Sequence, residues 1–282
     1  MPAAASQPAP SLEIERLAGA LGAEVRGVDL ARPLDATTEQ ALHDAWMQHQ
    51  VLFFRDQAIT VEQHKAFARN FGELHVHPVL QQMAEQGHPE IVVLESDASR
   101  PLVADRWHSD VTFEKCPPLG SILHAVAVPP AGGDTLWASM YAAWEALSDT
   151  LQRLLSGLSA FHDGGGFRAI AKDDAQRKDL EARQSAVHPV VRTHPVTGRK
   201  ALFVNSVFTK GIVGMKPAES RALLGFLYEH LASPDFSCRF RWRKDSIAMW
   251  DNRCTQHRVV ADALPQYRRM ERVTLIGDVP VA

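Results

Sequence analysis

The sequence predicts a mainly β protein of the α+β class, an antiparallel barrel or sandwich decorated by helices, and three observations carry that expectation. Short segments rich in branched and aromatic residues recur along the whole chain. They do not alternate regularly with helices, as a doubly wound parallel sheet requires. No repeat of about 20 to 50 residues is visible, so a solenoid or propeller is disfavoured.

The elements follow in chain order. Residues 1–10 (MPAAASQPAP) cannot bury enough surface to offset their ordering entropy and read as a disordered tail, leaving 11–282 as one domain. Segments 12–17 and 23–28 read as strands. Segments 37–49 and 60–71 carry apolar residues at helical spacing, each opened by a threonine (Thr37, Thr60) suited to cap the free amides of the first turn. Strands are expected at 51–54, 91–94 and 122–128, and one helix over 142–158. Residues 163–187, where Gly164-Gly165-Gly166 precedes a charge-rich stretch, read as an exposed linker or as a lid hinged on the glycines. Segments 190–193 and 202–205 flank the turn Pro195-Val196-Thr197-Gly198 and form a hairpin. A helix over 217–231 starts on Pro217, where a missing amide costs nothing, and 238–250 and 273–276 supply the last strands.

Composition excludes several classes. With 282 residues, 45% apolar, and 33 acidic against 30 basic side chains, the chain can bury a sizeable core and carries no electrostatic footprint for nucleic acid. No apolar run approaches the roughly 20 residues of a membrane span, so a cytoplasmic protein is expected. Cys116, Cys238 and Cys254 are odd in number and widely spaced, which argues for free thiols. Gly164–Gly166 lacks the Lys-Ser/Thr of a phosphate loop, and there is no G-x-S-x-G elbow.

The informative local feature is Trp107-His108-Ser109-Asp110-Val111-Thr112-Phe113. On an extended segment His108 and Asp110 point to one side and offer an imidazole nitrogen and a carboxylate oxygen together. Alone, such a pair is more often structural than metal-binding. A third ligand is available in Trp250-Asp251-Asn252-Arg253-Cys254-Thr255-Gln256-His257, if a second strand brings His257 beside the pair. Two histidines and one carboxylate suit non-heme iron(II), with catalytic zinc as the competing reading.

With these motifs, with Gly132-Gly133-Asp134-Thr135-Leu136-Trp137, and with Arg268 and Arg272 at matching spacing, the chain resembles the taurine dioxygenase-like family of iron(II)/2-oxoglutarate-dependent dioxygenases, which also includes aryloxyalkanoate dioxygenases and alkylsulfatases. The resemblance covers nearly the whole chain and implies a double-stranded β-helix, or jelly roll, with helices outside. It implies that His108, Asp110 and His257 hold Fe(II), that Thr135 and Arg268 hold the distal carboxylate of 2-oxoglutarate, and that O2 is the other co-substrate. It makes Arg272 and His77 the grip on a small anionic substrate, with Phe208 and Phe167 as aromatic walls.

Each of these residues also has a bland reading: a turn threonine, an arginine paired with an acid such as Glu271, a capped His-Pro turn, core phenylalanines. His75 and His77 could also share a strand face as metal ligands, without an obvious acid to complete a site. Leu80 and Ala104 stand where the resemblance leads one to expect a tyrosine and an asparagine, which implies a roomier, more apolar pocket than taurine needs. The implied reaction hydroxylates a carbon next to a heteroatom in a sulfonate, alkyl sulfate or aryloxyalkanoate, giving succinate, CO2 and a fragmented product. A homo-oligomer is expected. The alternatives are a zinc-dependent hydrolase of a small anion and a non-catalytic jelly-roll binding protein.

Overall fold

The strands are β1 Glu13–Arg16, β2 Ala23–Arg26, β3 Val51–Phe54, β4 Leu74–His75, β5 Ala84–Glu85, β6 His88–Ser96, β7 Gly120–Ala127, β8 Thr135–Ser139, β9 Ser159–Asp163 and β10 Ser185–Pro189. They continue as β11 Val191–Thr193, β12 Lys200–Leu202, β13 Thr209–Ile212, β14 Ser237–Phe240, β15 Ile247–Asp251, β16 Thr255–Val259 and β17 Arg268–Leu275. The helices are α1 Ala36–His49, α2 Val61–Arg69, α3 Met140–Glu145, α4 Asp149–Leu155 and α5 Pro217–Leu231. These come from a computed structural model that describes residues 12–101, 104–165, 174, 178 and 185–282. The expected tail 1–10 and most of the excursion 163–187 lie outside the described residues. The ends of that excursion are neighbours, because Asp163 on β9 pairs with Ser185 on β10.

The largest sheet has nine strands in the order β1-β2-β3-β15-β7-β17-β6-β5, with β4 beside β17, and a three-stranded sheet β14-β8-β16 faces it. Every pairing is antiparallel except β2 with β3, in agreement with the expected antiparallel, β-rich class. The core between the two sheets is aromatic: Phe53, Trp250 and Met270 from the large sheet meet Trp137, Phe240 and Trp242. On the other face of the large sheet, α1 and α2 cover a second core with Leu42, Ala45, Trp46 and Phe67. That double coverage explains why β3 reads as an unbroken apolar run, Val51-Leu52-Phe53-Phe54, all fully buried. A glycine admits α1 to the sheet. A Cβ on Gly120 would stand 2.6 Å from the Trp46 ring, so any larger residue there would push the helix away. A third core joins α3, α4 and α5 to β9, β11, β12 and β13.

Several local expectations need correction. The cap of α1 is Asp35, whose carboxylate accepts the Thr38 amide at 2.7 Å, while Thr37 lies inside the helix. Thr60 does cap α2, in a reciprocal capping box with Gln63. The single helix expected over 142–158 is two, because Ser148 caps a new start at α4 with its hydroxyl on the Leu151 amide. The strand region 238–250 is split between the two facing sheets as β14 and β15. The hairpin forms, but its second strand is β12 at Lys200–Leu202 and not 202–205, while α5 starts on Pro217 as expected. The three cysteines are free. Among the described residues, no helix is long and apolar enough to cross a membrane.

Candidate active site

The site lies between the two sheets, on β16, β17 and the start of β8, and on the turn after Arg106. His257 on β16 and His108 form an isolated antiparallel bridge, exchanging both backbone hydrogen bonds at 2.8 and 3.1 Å. This bridge brings the distant histidine beside the His-x-Asp pair. The ligand atoms of His108, Asp110 and His257 all lie within 4.8 Å of one another, and Asp110 Oδ1 stands 4.0 Å from each Nε2.

The protonation of this cluster suits a cation. His108 Nδ1 donates to the Arg106 carbonyl at 2.8 Å, which leaves the Nε2 lone pair facing the cluster. Burial lowers the pKa of both imidazoles, His257 to about 3, so they are neutral at pH 7. Burial opposes ionisation of Asp110, but the Arg272 guanidinium, helped by the Ser121 hydroxyl, outweighs it and holds the carboxyl well below its ordinary range. A buried carboxylate and two neutral imidazoles converging on one point form a donor set that fits a divalent metal.

Residues that the sequence reading did not single out hold Asp110 in place. The Asn252 side chain accepts the Asp110 amide at 2.6 Å and donates to the Asp110 carbonyl at 3.0 Å and to the Pro118 carbonyl at 2.9 Å. Ser121 donates to Asp110 Oδ2 at 2.9 Å. The next residue, Val111, has φ 55°, a left-handed conformation that a β-branched side chain adopts only under strain. Asn252 stands in the Trp250–His257 motif, yet nothing in its spacing shows that it reads the backbone of residue 110.

Arg268 and Arg272 both lie on β17, four residues apart and both buried. Arg272 donates through Nη1 to Asp110 Oδ1 at 2.7 Å, so its acid partner is the candidate metal ligand, while Glu271 pairs with Arg269. Arg268 differs. Its Nε and Nη2 are buried and find no hydrogen-bond partner among the described residues. Burial pushes its pKa down to about 10, still protonated at pH 7. The loop before β8 makes room for this side chain: Gly132 and Gly133 have φ 84° and 71°, and a Cβ on Gly133 would meet Arg268 Cδ at 3.2 Å. Thr135 follows on β8 and pairs in register with Val259, two residues beyond His257. Asp134 is a nearby charge that favours the protonated form, yet two buried donors of this guanidinium stay without a hydrogen-bond partner among the described residues, which is costly.

His77 is buried within the electrostatic reach of Arg272 and Asp110. Its Nδ1 accepts the amides of Val79 and Leu80, each at 3.1 Å, and burial followed by the Arg272 charge takes its pKa to about 3. His77 is therefore a neutral side chain whose Nε2 carries the proton. Leu80 is placed by the same turn, and Ala104 accepts the Val259 amide through its carbonyl at 2.8 Å. The Phe208 ring lies 6.4 Å from His108 and 5.2 Å from Phe113, in an apolar wall with Val79 and Val111. Phe167 lies outside the described residues. His75 turns elsewhere, to Glu114 at 3.3 Å and Thr274 at 3.2 Å, so it does not share a metal with His77.

A second buried group, His194, Asp251 and Cys254, also brings possible ligands together. It is structural. His194 Nδ1 accepts the amides of Val196 and Thr197, so Nε2 carries the proton and donates to Asp251, whose two oxygens also accept Arg253.

Residues 13–274 match the family described as Taurine catabolism dioxygenase TauD, TfdA family. The chain is 38% identical over 279 residues to an alpha-ketoglutarate-dependent sulfate ester dioxygenase of Pseudomonas putida, covering 96% of this chain and 91% of that protein. It is 36% identical to an alkylsulfatase of Acinetobacter baylyi, covering 96% and 87% respectively. A solved taurine dioxygenase from Burkholderia xenovorans superposes with a TM-score of 0.84 at 40% identity, covering 97% of this chain and 92% of that one.

Proposed function

Because the chain belongs to the taurine catabolism dioxygenase TauD, TfdA family, it is an iron(II)- and 2-oxoglutarate-dependent dioxygenase of small organic anions, and we propose how its residues divide that work. In this reading His108, Asp110 and His257 hold the iron, Thr135 and Arg268 the distal carboxylate of 2-oxoglutarate, and Arg272 with His77 the anionic head of the substrate. The facing sheets are then the two halves of a double-stranded β-helix. The observation that carries the division is the buried Arg268 guanidinium, unpartnered at Nε and Nη2 among the described residues and on the same strand as Arg272, which bonds Asp110 of the three-donor cluster.

Bound iron supplies, with 2-oxoglutarate and oxygen, the oxidising power that hydroxylates a substrate C–H bond as 2-oxoglutarate becomes succinate and CO2. The chain positions the reactants and keeps water out. The planar fork of Arg268 matches a carboxylate, and Thr135 adds a neutral donor. His77 donates through Nε2–H and adds no charge, so Arg272 alone supplies the positive charge for the substrate head. Val79, Val111, Phe113 and Phe208 cover the non-polar part. Once the carbon bearing a sulfate ester is hydroxylated, it collapses to an aldehyde and releases sulfate.

We take alkyl sulfates and longer alkyl sulfonates as the preferred substrates. The anion grip is present, whereas Leu80 and Ala104 offer taurine no side-chain hydrogen bond. Succinate formation with hexyl sulfate, hexanesulfonate, phenoxyacetate, taurine and 1-hexanol tests this. The longer anions should give kcat/KM at least about tenfold above taurine, since roughly 0.8 kcal/mol attends each buried methylene, and 1-hexanol should be inert. Preference for taurine over all the others would refute the substrate reading.

A further inference from the structure

Trp242 lies just past β14 in Arg239-Phe240-Arg241-Trp242-Arg243, a segment whose alternation of basic and aromatic residues reads as a strand with one wet and one buried face. The structure gives the buried face a polar task. Trp242 Nε1 donates to Thr135 Oγ1 at 2.9 Å, and both residues are buried, at 5% and 2% exposure. The indole is fixed by a T-shaped contact with Phe240 at 5.1 Å and a tilted contact with Trp137 at 6.3 Å. Of the three buried tryptophans in this core, only this one has its N–H satisfied: Trp137 and Trp250 have no partner for theirs among the described residues.

A threonine hydroxyl can donate one hydrogen bond and accept others, and it rotates to suit its neighbours. An indole N–H can only donate. With Nε1 seated on Oγ1, the hydroxyl proton must point away from Trp242, so the hydroxyl becomes a directed donor. Thr135 is fixed on β8 opposite Val259 of β16 and Phe240 of β14, two residues after the Gly133 backbone that lies against Arg268.

We propose that Trp242 is a positioning residue for the co-substrate: by occupying the acceptor side of Thr135 Oγ1, it commits that hydroxyl to donate to the carboxylate that Arg268 grips. This rests on the assignment of Thr135 and Arg268 to 2-oxoglutarate made above. The tryptophan does not touch the carboxylate. It acts through the threonine, removing the rotamer in which the hydroxyl proton is directed at the indole and so raising the share in which it faces the anion.

The test uses the Zn(II)-loaded full chain, in which no turnover occurs, and titrates 2-oxoglutarate by calorimetry. Trp242→Phe keeps an aromatic ring and removes only the donor. It should weaken 2-oxoglutarate by about three- to tenfold, as the loss of one directed hydrogen bond predicts. Affinity for Zn(II) and for hexyl sulfate should not change. Thr135→Val should lose at least as much, and Trp242→Phe/Thr135→Val no more than Thr135→Val alone, because the two side chains act as one device. Thr135→Ser should retain the affinity. Additive losses in the double variant, or wild-type affinity in Trp242→Phe beside a weakened Thr135→Val, would overturn the inference.

A second readout needs no substitution at Trp242. With 15N-labelled indoles, the Trp242 Nε1–H resonance should move when 2-oxoglutarate is added to the wild-type protein and stay still in Thr135→Val. An unmoved wild-type resonance would count against the inference. Unchanged affinity in Thr135→Val would remove the co-substrate assignment itself, and the role of Trp242 with it.

Discussion

Replacing Arg268 by methionine should make the ligand-free protein more stable and its co-substrate affinity worse. The guanidinium is 2% exposed, its Nε and Nη2 lack partners among the described residues, and its pKa falls to about 10. At roughly 1.4 kcal/mol per pKa unit, the fall from its ordinary value corresponds to about 3 kcal/mol borne by the charged form. Methionine keeps most of the aliphatic volume without the charge, so the ligand-free variant should gain on the order of 1–3 kcal/mol. A domain of this size changes its melting temperature by roughly 2–4 °C per kcal/mol, which calorimetry resolves. A charge-assisted fork on a carboxylate contributes about 1.5–3 kcal/mol, so 2-oxoglutarate should bind the Zn(II)-loaded variant about 10- to 150-fold more weakly. The two effects appear together in a melting series with and without 2-oxoglutarate. The variant should start higher and gain less from the ligand. A lower melting temperature without ligand, together with an undiminished ligand shift, would refute the reasoning that this arginine is held unpaired for an anion.

Two further outcomes follow from residues around the site. Asn252→Leu removes the partners of the Asp110 amide, the Asp110 carbonyl and the Pro118 carbonyl; at about 1 kcal/mol or more each, roughly 3 kcal/mol of stability should vanish and metal affinity fall with it. Urea melts beside zinc titrations check this, and a drop below about 1 kcal/mol would show that the clamp is dispensable. His64 and His162 are buried, and burial takes the pKa of each to about 3. The unfolded chain therefore binds more protons than the native one between the ordinary histidine value and about 3, and stability must fall as pH drops through that window, by up to about 1.4 kcal/mol per pH unit for each group. Urea midpoints at pH 7.5, 5.5 and 4.5 should decline, less so in His64→Gln; midpoints flat from pH 7.5 to 4.5 would contradict it.

What the sequence discloses here depends on the distance over which each interaction is made. His108 and Asp110 are legible because an extended segment puts residues two apart on one side. Thr60 and Pro217 are legible because capping is local. His257 lies beyond such rules: the sequence offers it as a third ligand only on condition that a second strand returns it, and its place rests on the bridge between residues 108 and 257. Asp35 took the cap from Thr37 because a carboxylate two residues earlier reaches the Thr38 amide, a competition that periodicity does not decide. Asn252, Ser121 and Trp242 were missed for a shared reason. Each serves another residue across a gap of 11 to 142 positions, through a hydrogen bond set by strand register. No spacing rule contains that register.

The charges in the site also bear on what it takes. Asp134 is paired with Arg239 at 2.7 Å, and His108, His257 and His77 are neutral, so within the proposed ligand set the charged residues are Asp110, Arg268 and Arg272. They leave one positive charge. A divalent metal raises the surplus to three, and dianionic 2-oxoglutarate lowers it to one. A buried site tolerates uncompensated charge poorly, so under the proposed assignment a monoanionic substrate balances it. Alkyl sulfates and sulfonates meet that requirement at neutral pH, whereas a zwitterion brings an ammonium that neither Leu80 nor Ala104 can satisfy through its side chain. Arg272 already donates to Asp110 through Nη1, and its buried Nε has no partner among the described residues. In the proposed reading, the substrate's anionic head completes the coordination of a guanidinium that Asp110 has already fixed in place.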